Sequence, residues 1–169
     1  METLSENMNL KYILAIMNSK YASVLLTNLR GGDYHIYPEH IRNIPIPNAD
    51  PETQKQLADF ADEMIRLNAE ISSLSNDFFT ILRANNYEIA KIPTALNEFY
   101  NLDFKEFLKL TKLKIDMSKQ GDLLKFFNEY KQQCQTLNKQ IVKTESKINQ
   151  AVYKLYELND DEIKMIENG

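Results

Sequence analysis

The sequence predicts a mainly α protein: two long antiparallel coiled-coil-like helices with a small helical cap, and a short N-terminal helix followed by an edge-strand or loop element. Three observations carry this expectation. Two stretches place apolar residues at alternating steps of three and four, the spacing of a coiled-coil seam. Only four Gly and five Pro occur in 169 residues, so few positions interrupt a helix. Capping residues mark three helix starts: Asp50-Pro51, Asn101 or Asp103, and Asn159.

From the N-terminus, Asn9 to Leu29 reads as one helix with Leu10, Ile13, Leu14, Met17, Tyr21, Val24 and Leu25 on its apolar face. Gly31-Gly32 permits a tight turn. Tyr34-His35-Ile36-Tyr37 then suits a short strand, and Pro38-Glu39-His40-Ile41 a single helical turn. Ile44-Pro45-Ile46-Pro47 must be extended, because a proline disfavours helix in the residue before it. Its two prolines restrict it to a sheet edge or a surface strap.

The first long helix starts with Asp50 as N-cap and Pro51 in its first turn. Its track runs Leu57, Phe60, Met64, Leu67, Ile71, Leu74, Phe78 and Ile81, a seam about 36 Å long at ~1.5 Å per residue. The second track runs Leu123, Phe127, Tyr130, Cys134, Leu137, Ile141, Thr144, Ile148, Ala151 and Leu155. Two seams of similar length joined by a compact connection most simply pair antiparallel within the chain. Two amphipathic helices on a shared globular core would produce nearly the same pattern. Residues 84–117 are dense in aromatic and aliphatic side chains and form the cap, with Asn101 or Asp103 starting a short helix through Phe104 to Leu113. Its aromatic stripe reads as core; a base-stacking platform is the minor alternative. After Leu158, Asn159 caps a final helix, with Asp160 and Asp161 in its first turn and Glu162 completing a capping box.

Composition narrows the function classes. A single cysteine, Cys134, leaves no internal disulfide and no thiol cluster for zinc, which fits a reducing, cytoplasmic setting. No apolar run is long enough to span a membrane, and METLSENMN lacks the order of a signal peptide. The formal net charge of −4 argues against strong, sequence-independent nucleic-acid binding by this segment alone. No pocket motif for a flipped base and no glycine-rich cofactor turn is present. Glu52, Asp59, Asp62 and Glu63 fall on the outside of the first long helix and read as a solvated face. His35 and His40 lack a third partner for a metal. The chain is therefore expected to be non-catalytic, with no cofactor or metal of its own.

Three ordered stretches resemble a known family. They are NLKYILAIMNSK with its Asn18-Ser19-Lys20 ending, then IRNIPIPNADPETQKQLADFADEM, and finally INQAVYKLYELNDDEIKMIE from Ile148 to Glu167. LDFKEFLK, Leu102 to Lys109, adds a fourth likeness. Together they resemble the C-terminal specificity region of bacterial type IIG restriction-modification proteins and related adenine-specific DNA methyltransferases, over about residues 9–167. Asn149 stands where that family usually has Asp, and Glu157 where it usually has Gly. The resemblance implies a target-recognition remnant at 1–50 and a helical spacer at 51–169. The spacer comprises a long helix 51–83, cap 84–117, long helix 118–157 and capping helix 159–167, similar to the spacer helices of type I specificity subunits. It also implies a methyltransferase domain, in the same chain or a partner subunit. S-adenosylmethionine would be bound there, as would any Mg²⁺, and double-stranded DNA would be the parent's substrate. This chain would then be the C-terminal part of such a protein, as a fragment or a truncated gene.

On that reading the DNA-facing candidates are Lys20, Arg30, Tyr34, His35, Tyr37, His40 and Arg42, which are cationic, aromatic or polar and lie near glycine and proline turns. Ordinary exposed charges beside a short edge strand are the plainer reading of the same residues. Two other functions stand beside the first. One is a helical interaction or dimerisation module with no DNA role, and the other is an orphan specificity fragment that assembles with a separate methylase.

Overall fold

The computed structural model describes residues 8–32, 34–87, 89 and 93–168. It is mainly α, as expected. In chain order the helices are α1 (Leu10–Met17), α2 (Lys20–Arg30), α3 (Pro38–Arg42), α4 (Pro51–Ala84), α5 (Phe104–Thr111), α6 (Met117–Leu155) and α7 (Asp160–Asn168). Two single turns, Thr94–Leu96 and Phe99–Asn101, precede α5. The chain divides into two compact units, Met1–Ile65 with Val142–Gly169, and Arg66–Ile141. Both long helices contribute to both, and the boundary expected at residue 50 falls inside the first.

In the first unit, the start of α4 and the end of α6 pack through Leu57, Ala61, Ile148 and Val152, with Phe60, Met64, Ala151 and Leu155 beside them. The start of one helix thus meets the end of the other, which is the antiparallel pairing the seams require. Tyr12, Ala15 and Ile16 of α1 complete this core.

Here the N-terminal expectation needs correcting twice. The stretch Asn9 to Leu29 is two helices, not one. Asn18 ends α1 by returning its side-chain amide to Leu14 O at 2.9 Å. Ser19 starts α2, its Oγ accepting from Ala22 N while donating to Ile16 O. Small polar side chains compete with the helix ladder in this way. The buried face also differs: Tyr12, Ala15 and Ile16 are enclosed, whereas Leu10 is 80% exposed and Leu14 is exposed. The phenol of Tyr12 decided the rotation, because it reaches Pro47 O at 2.7 Å and can be buried satisfied. Among the described residues no strand forms. Tyr34 and His35 lie in a bend, with Ile36-Tyr37 leading into α3 and no neighbouring strand to pair with.

In the second unit Phe78 is the hub. Its ring stacks on Phe99 at 4.1 Å and 4°, and meets Phe79, Phe107, Phe126, Phe127 and Tyr130 within 6.2 Å. Phe99, Phe107 and Phe127 are themselves fully enclosed, so the cap's aromatic stripe is core. Side chains of α6 hold the irregular cap in place: Lys131 Nζ donates to Leu102 O at 2.5 Å, and Gln135 Nε2 to Tyr100 O at 2.9 Å. Asp103 caps α5 through a reciprocal box with Glu106. Cys134 is buried on the seam, and burial pushes its thiol up.

The first seam follows the expected positions as far as Phe78, then shifts. Leu82 is fully buried and Ile81 is exposed. A straight helix drifts against a strict seven-residue repeat, and after several turns the next residue faces the partner. Leu82→Ala should therefore cost about 2–5 kcal/mol, and Ile81→Ala about 0.5 kcal/mol or less. Equal shifts in the urea midpoint for the two variants would overturn this register.

The helix α6 ends in a Schellman motif, with Leu158 N donating to Tyr153 O and Glu157 N to Lys154 O. Glu157 takes the left-handed position at φ 54, which crowds a Cβ. Asn86 occupies the equivalent place after α4 at φ 62 and tolerates it better. Glu157→Gly should accordingly stabilise the chain by about 1 kcal/mol. Thermal denaturation checks it, and a lowered midpoint would contradict the strain.

Candidate nucleic-acid interface

Three sequence stretches meet in the first unit: the Asn18-Ser19-Lys20 corner, the Ile44–Pro47 strap and the end of α6. The strap is held at two carbonyls. Tyr12 OH donates to Pro47 O, and Tyr156 OH donates to Pro45 O. Tyr156 also packs against Tyr21 of α2, the rings tilted at 45° with centroids 4.4 Å apart. Burial pushes the Tyr156 phenol up, with Tyr21 and Tyr12 adding to it, so it remains a donor. At the corner, the Lys20 backbone N–H donates to the buried Asn149 side chain at 2.8 Å. That bond satisfies an amide of the first turn of α2 that has no partner inside its own helix.

The helix α7 folds onto the same corner. Asn159 Oδ1 accepts from Asp161 N and Glu162 N, each at 3.0 Å, and Glu162 returns a bond to Asn159 N at 2.8 Å. Ile166 is buried. Glu167 then binds two elements at once: Tyr153 OH donates to its Oε1 at 2.6 Å, and Lys20 Nζ reaches its Oε2 at 3.1 Å and its carbonyl at 2.8 Å. The Tyr153 hydroxyl, then Lys20, hold the Glu167 carboxyl below its ordinary range. Burial, then the bond to that carboxylate, push the Tyr153 phenol up. Between α2, α6 and α7 lies a groove of about 910 Å³ of mixed lining, with Ser19, Ser23, Glu145 and Lys154 beside Val142 and Ile163.

The candidate DNA-facing residues separate into two groups. Lys20 is the first residue of α2, and its amine is engaged with Glu167. The other six lie at or beyond the opposite end of α2. Arg30 is its last residue, with Nε enclosed and without an acceptor among the described residues. Gly31 follows at φ 61, a conformation that turns the chain sharply and suits glycine. Tyr34 stands 94% exposed. His35 and His40 each lie edge-on to Tyr37, at 6.3 and 5.5 Å. Tyr37 N donates to His40 Nδ1 at 3.2 Å, which places the ring hydrogen of neutral His40 on Nε2 as a donor. Arg42 is exposed in the last turn of α3. Among the described residues no three His, Cys, Asp or Glu side chains converge as metal ligands would.

Sequence reasoning missed Tyr12, Asn149 and Glu167 as the residues that fix this corner. No local pattern marks them, because their partners lie 35, 129 and 14 residues away along the chain.

A family model described as a domain of unknown function (DUF8810) matches residues 50–152, and the chain belongs to that family. The match opens on Asp50, the N-cap of α4, and closes within the last turns of α6. No curated protein and no solved structure matches the chain.

The depressed Glu167 carboxyl gives the clasp a pH dependence with a definite sign. A carboxyl whose folded value is lowered contributes stability above its ordinary value near 4.5 and loses it as pH falls through the lower folded value. Glu167→Gln keeps an acceptor for Tyr153 but no charge for Lys20. Hydrogen exchange in α7 should show the wild type better protected than the variant near neutrality, and the gap should close below about pH 4. A gap that stays constant down to pH 3 would exclude a role for the charge.

Proposed function

We propose that this chain is the non-catalytic C-terminal DNA-specificity and spacer region of a bacterial restriction-modification methyltransferase, positioning target recognition relative to the methylase. One observation carries the reading. The stretches whose wording resembles that family, Asn18-Ser19-Lys20, Ile44–Pro47 and the Ile148–Glu167 tail, are far apart in sequence and pack together through the Lys20–Asn149 and Tyr156–Pro45 bonds, with Tyr21 against Tyr156 beside them. Shared wording that serves one packed element is harder to obtain by chance than three scattered matches.

The segment from Arg30 to Arg42 supplies the DNA contact in this reading. It combines cations, exposed aromatic rings and apolar Ile36 and Ile41 on a short turn between helices, where recognition residues are commonly mounted. Lys20 belongs to the clasp and not to this surface. The methyltransferase, with its S-adenosylmethionine and any Mg²⁺, is a separate domain or subunit.

A second reading, a helical protein-interaction module, draws on α1. Its exposed Leu10 and Leu14 suit a protein contact. The α4 and α6 seams offer less to a second copy, since Leu57, Leu67, Phe78 and Cys134 are already enclosed. A face on α1 also fits the first reading, as a contact with the methyltransferase or recognition domain.

The test is binding of the full chain to duplex DNA carrying candidate target sites, followed by fluorescence anisotropy. Affinity for non-target duplex should lie near ~10⁻⁴–10⁻⁶ M. Tyr34→Ala/Arg42→Gln should weaken binding and lower the salt dependence by about 1 unit of slope, while Glu167→Gln should leave it unchanged. Unchanged binding in the double variant, with no methylase motif in the adjoining reading frame, would overturn the proposal.

A further inference from the structure

The cap of the second unit carries a surface that the proposed DNA contact does not use. Lys105 and Lys109 are spaced by four residues and share one stripe of α5, and Lys112 is the C-cap of that helix, in the left-handed conformation at φ 55. The opposite side of this helix holds the enclosed Phe107 and Thr111 and the core-packed Phe104 and Leu108. Its outward face is therefore defined by what it buries. Beyond α5 exposure alternates: Leu113 and Ile115 pack on the core, while Lys112 and Lys114 are exposed. The lysine stripe thus continues past the end of the helix, and Lys119 is exposed in the first turn of α6. None of these five amines has a hydrogen bond or ion pair among the described residues.

In a chain of net charge −4, residues 105–119 hold five lysines against Glu106 and Asp116. The Glu106 carboxylate is already engaged with the Asp103 backbone N–H. Lys105 and Lys109 stand about 6 Å apart along the helix at ~1.5 Å per residue, and Lys112 and Lys114 follow directly after its C-terminal end.

We infer that the Lys105–Lys109–Lys112–Lys114 stripe is a phosphate-backbone contact for duplex DNA, separate from the Arg30–Arg42 segment. The stripe holds lysines and no arginine, which suits point contacts to phosphate and not bidentate reading of base edges. The aromatic rings of the cap that could stack on unpaired bases, Phe99, Tyr100 and Phe107, are buried, which favours a duplex over a single strand. The stripe adds affinity without sequence preference. The choice of DNA as the anion rests on the proposed function, and the two are separable by experiment.

The full chain and Lys105→Gln/Lys109→Gln/Lys112→Gln/Lys114→Gln are titrated with a fluorescent 20-bp duplex between 50 and 200 mM salt. Circular dichroism checks that the helices persist, as expected for exposed side chains. The slope of log affinity against log salt should fall by up to about 3.6, at ~0.9 per phosphate released, on target and non-target duplexes alike. A second variant, Lys125→Gln/Lys139→Gln/Lys143→Gln, removes exposed charge elsewhere on α6 and should change the slope little. An unchanged slope in the first variant, or an equal loss in the second, overturns the inference. So does lysine-dependent binding of polyglutamate in the absence of duplex binding. If Tyr34→Ala/Arg42→Gln weakens binding and the lysine variant does not, the inference fails and the proposed function stands. If only the lysine variant weakens it, the stripe stands and the Arg30–Arg42 contact fails.

Discussion

The hydrogen bond from the Lys20 backbone to Asn149 is the contact on which the first unit depends. An isolated helix of eleven residues such as α2 is marginal in water, and its first amides have no partner within it. Ser19 supplies one acceptor and Asn149, 129 residues further along the chain, supplies another. This explains why α6 carries two buried faces near its end. Ile148 and Val152 face the α4 core, while Asn149 and Tyr153 are buried polar groups satisfied by α2 and α7. A fully apolar second face would leave the start of α2 short of an acceptor. Loss of the Asn149 carbonyl would strand a backbone N–H, an outcome worth about 1–3 kcal/mol.

The second unit solves a related problem with different chemistry. The described residues between α4 and α5 include only single turns, so their carbonyls need partners from elsewhere. The long helix α6 provides them through Lys131 and Gln135. The Phe78 hub supplies the apolar half of the same arrangement. Stacked and edge-on rings fill the space between short, irregular pieces that could not interdigitate through aliphatic side chains alone. A buried core and two specific side-chain bonds thus hold the α5 stripe on a fixed backbone.

Where interactions are local, the sequence was readable. Asp50, Asp103 and Asn159 act within three residues of themselves, and all three helices start where those caps stand. The seams were readable because their period survives many turns, and the one slip, Ile81 for Leu82, came where accumulated drift exceeds half a residue. The face of α1 was not readable. Leucine spacing favoured Leu10 and Leu14, but the enclosed side includes Tyr12, whose burial needs an acceptor on a strap 35 residues away. The strand expected at Tyr34–Tyr37 failed for the complementary reason: local propensity allows a strand, but nothing in the fold pairs with it. Among the site residues, Lys20 looked like a free cation because its partner, Glu167, lies 147 residues on. Long-range polar contacts leave no periodic trace.

These placements change what the acidic net charge means. Lys20, Lys11 and Lys55 are spent on Glu167, Asp62 and Asp59, so part of the cationic content is neutralised within the first unit. Acidic residues are likewise occupied as caps or ion-pair partners: Asp50, Asp103 and Glu162 each accept backbone N–H groups. What remains unpaired is not spread evenly. Arg42 is exposed beyond α2, five lysines fall between residues 105 and 119, and Lys125, Lys139, Lys143 and Lys154 are exposed further along α6. A polyanion responds to this local distribution over roughly a Debye length, about 8 Å at physiological salt, and not to the total. Net charge bounds how weakly such a chain would hold any polyanion, whereas the positions of these free cations set where one would touch it.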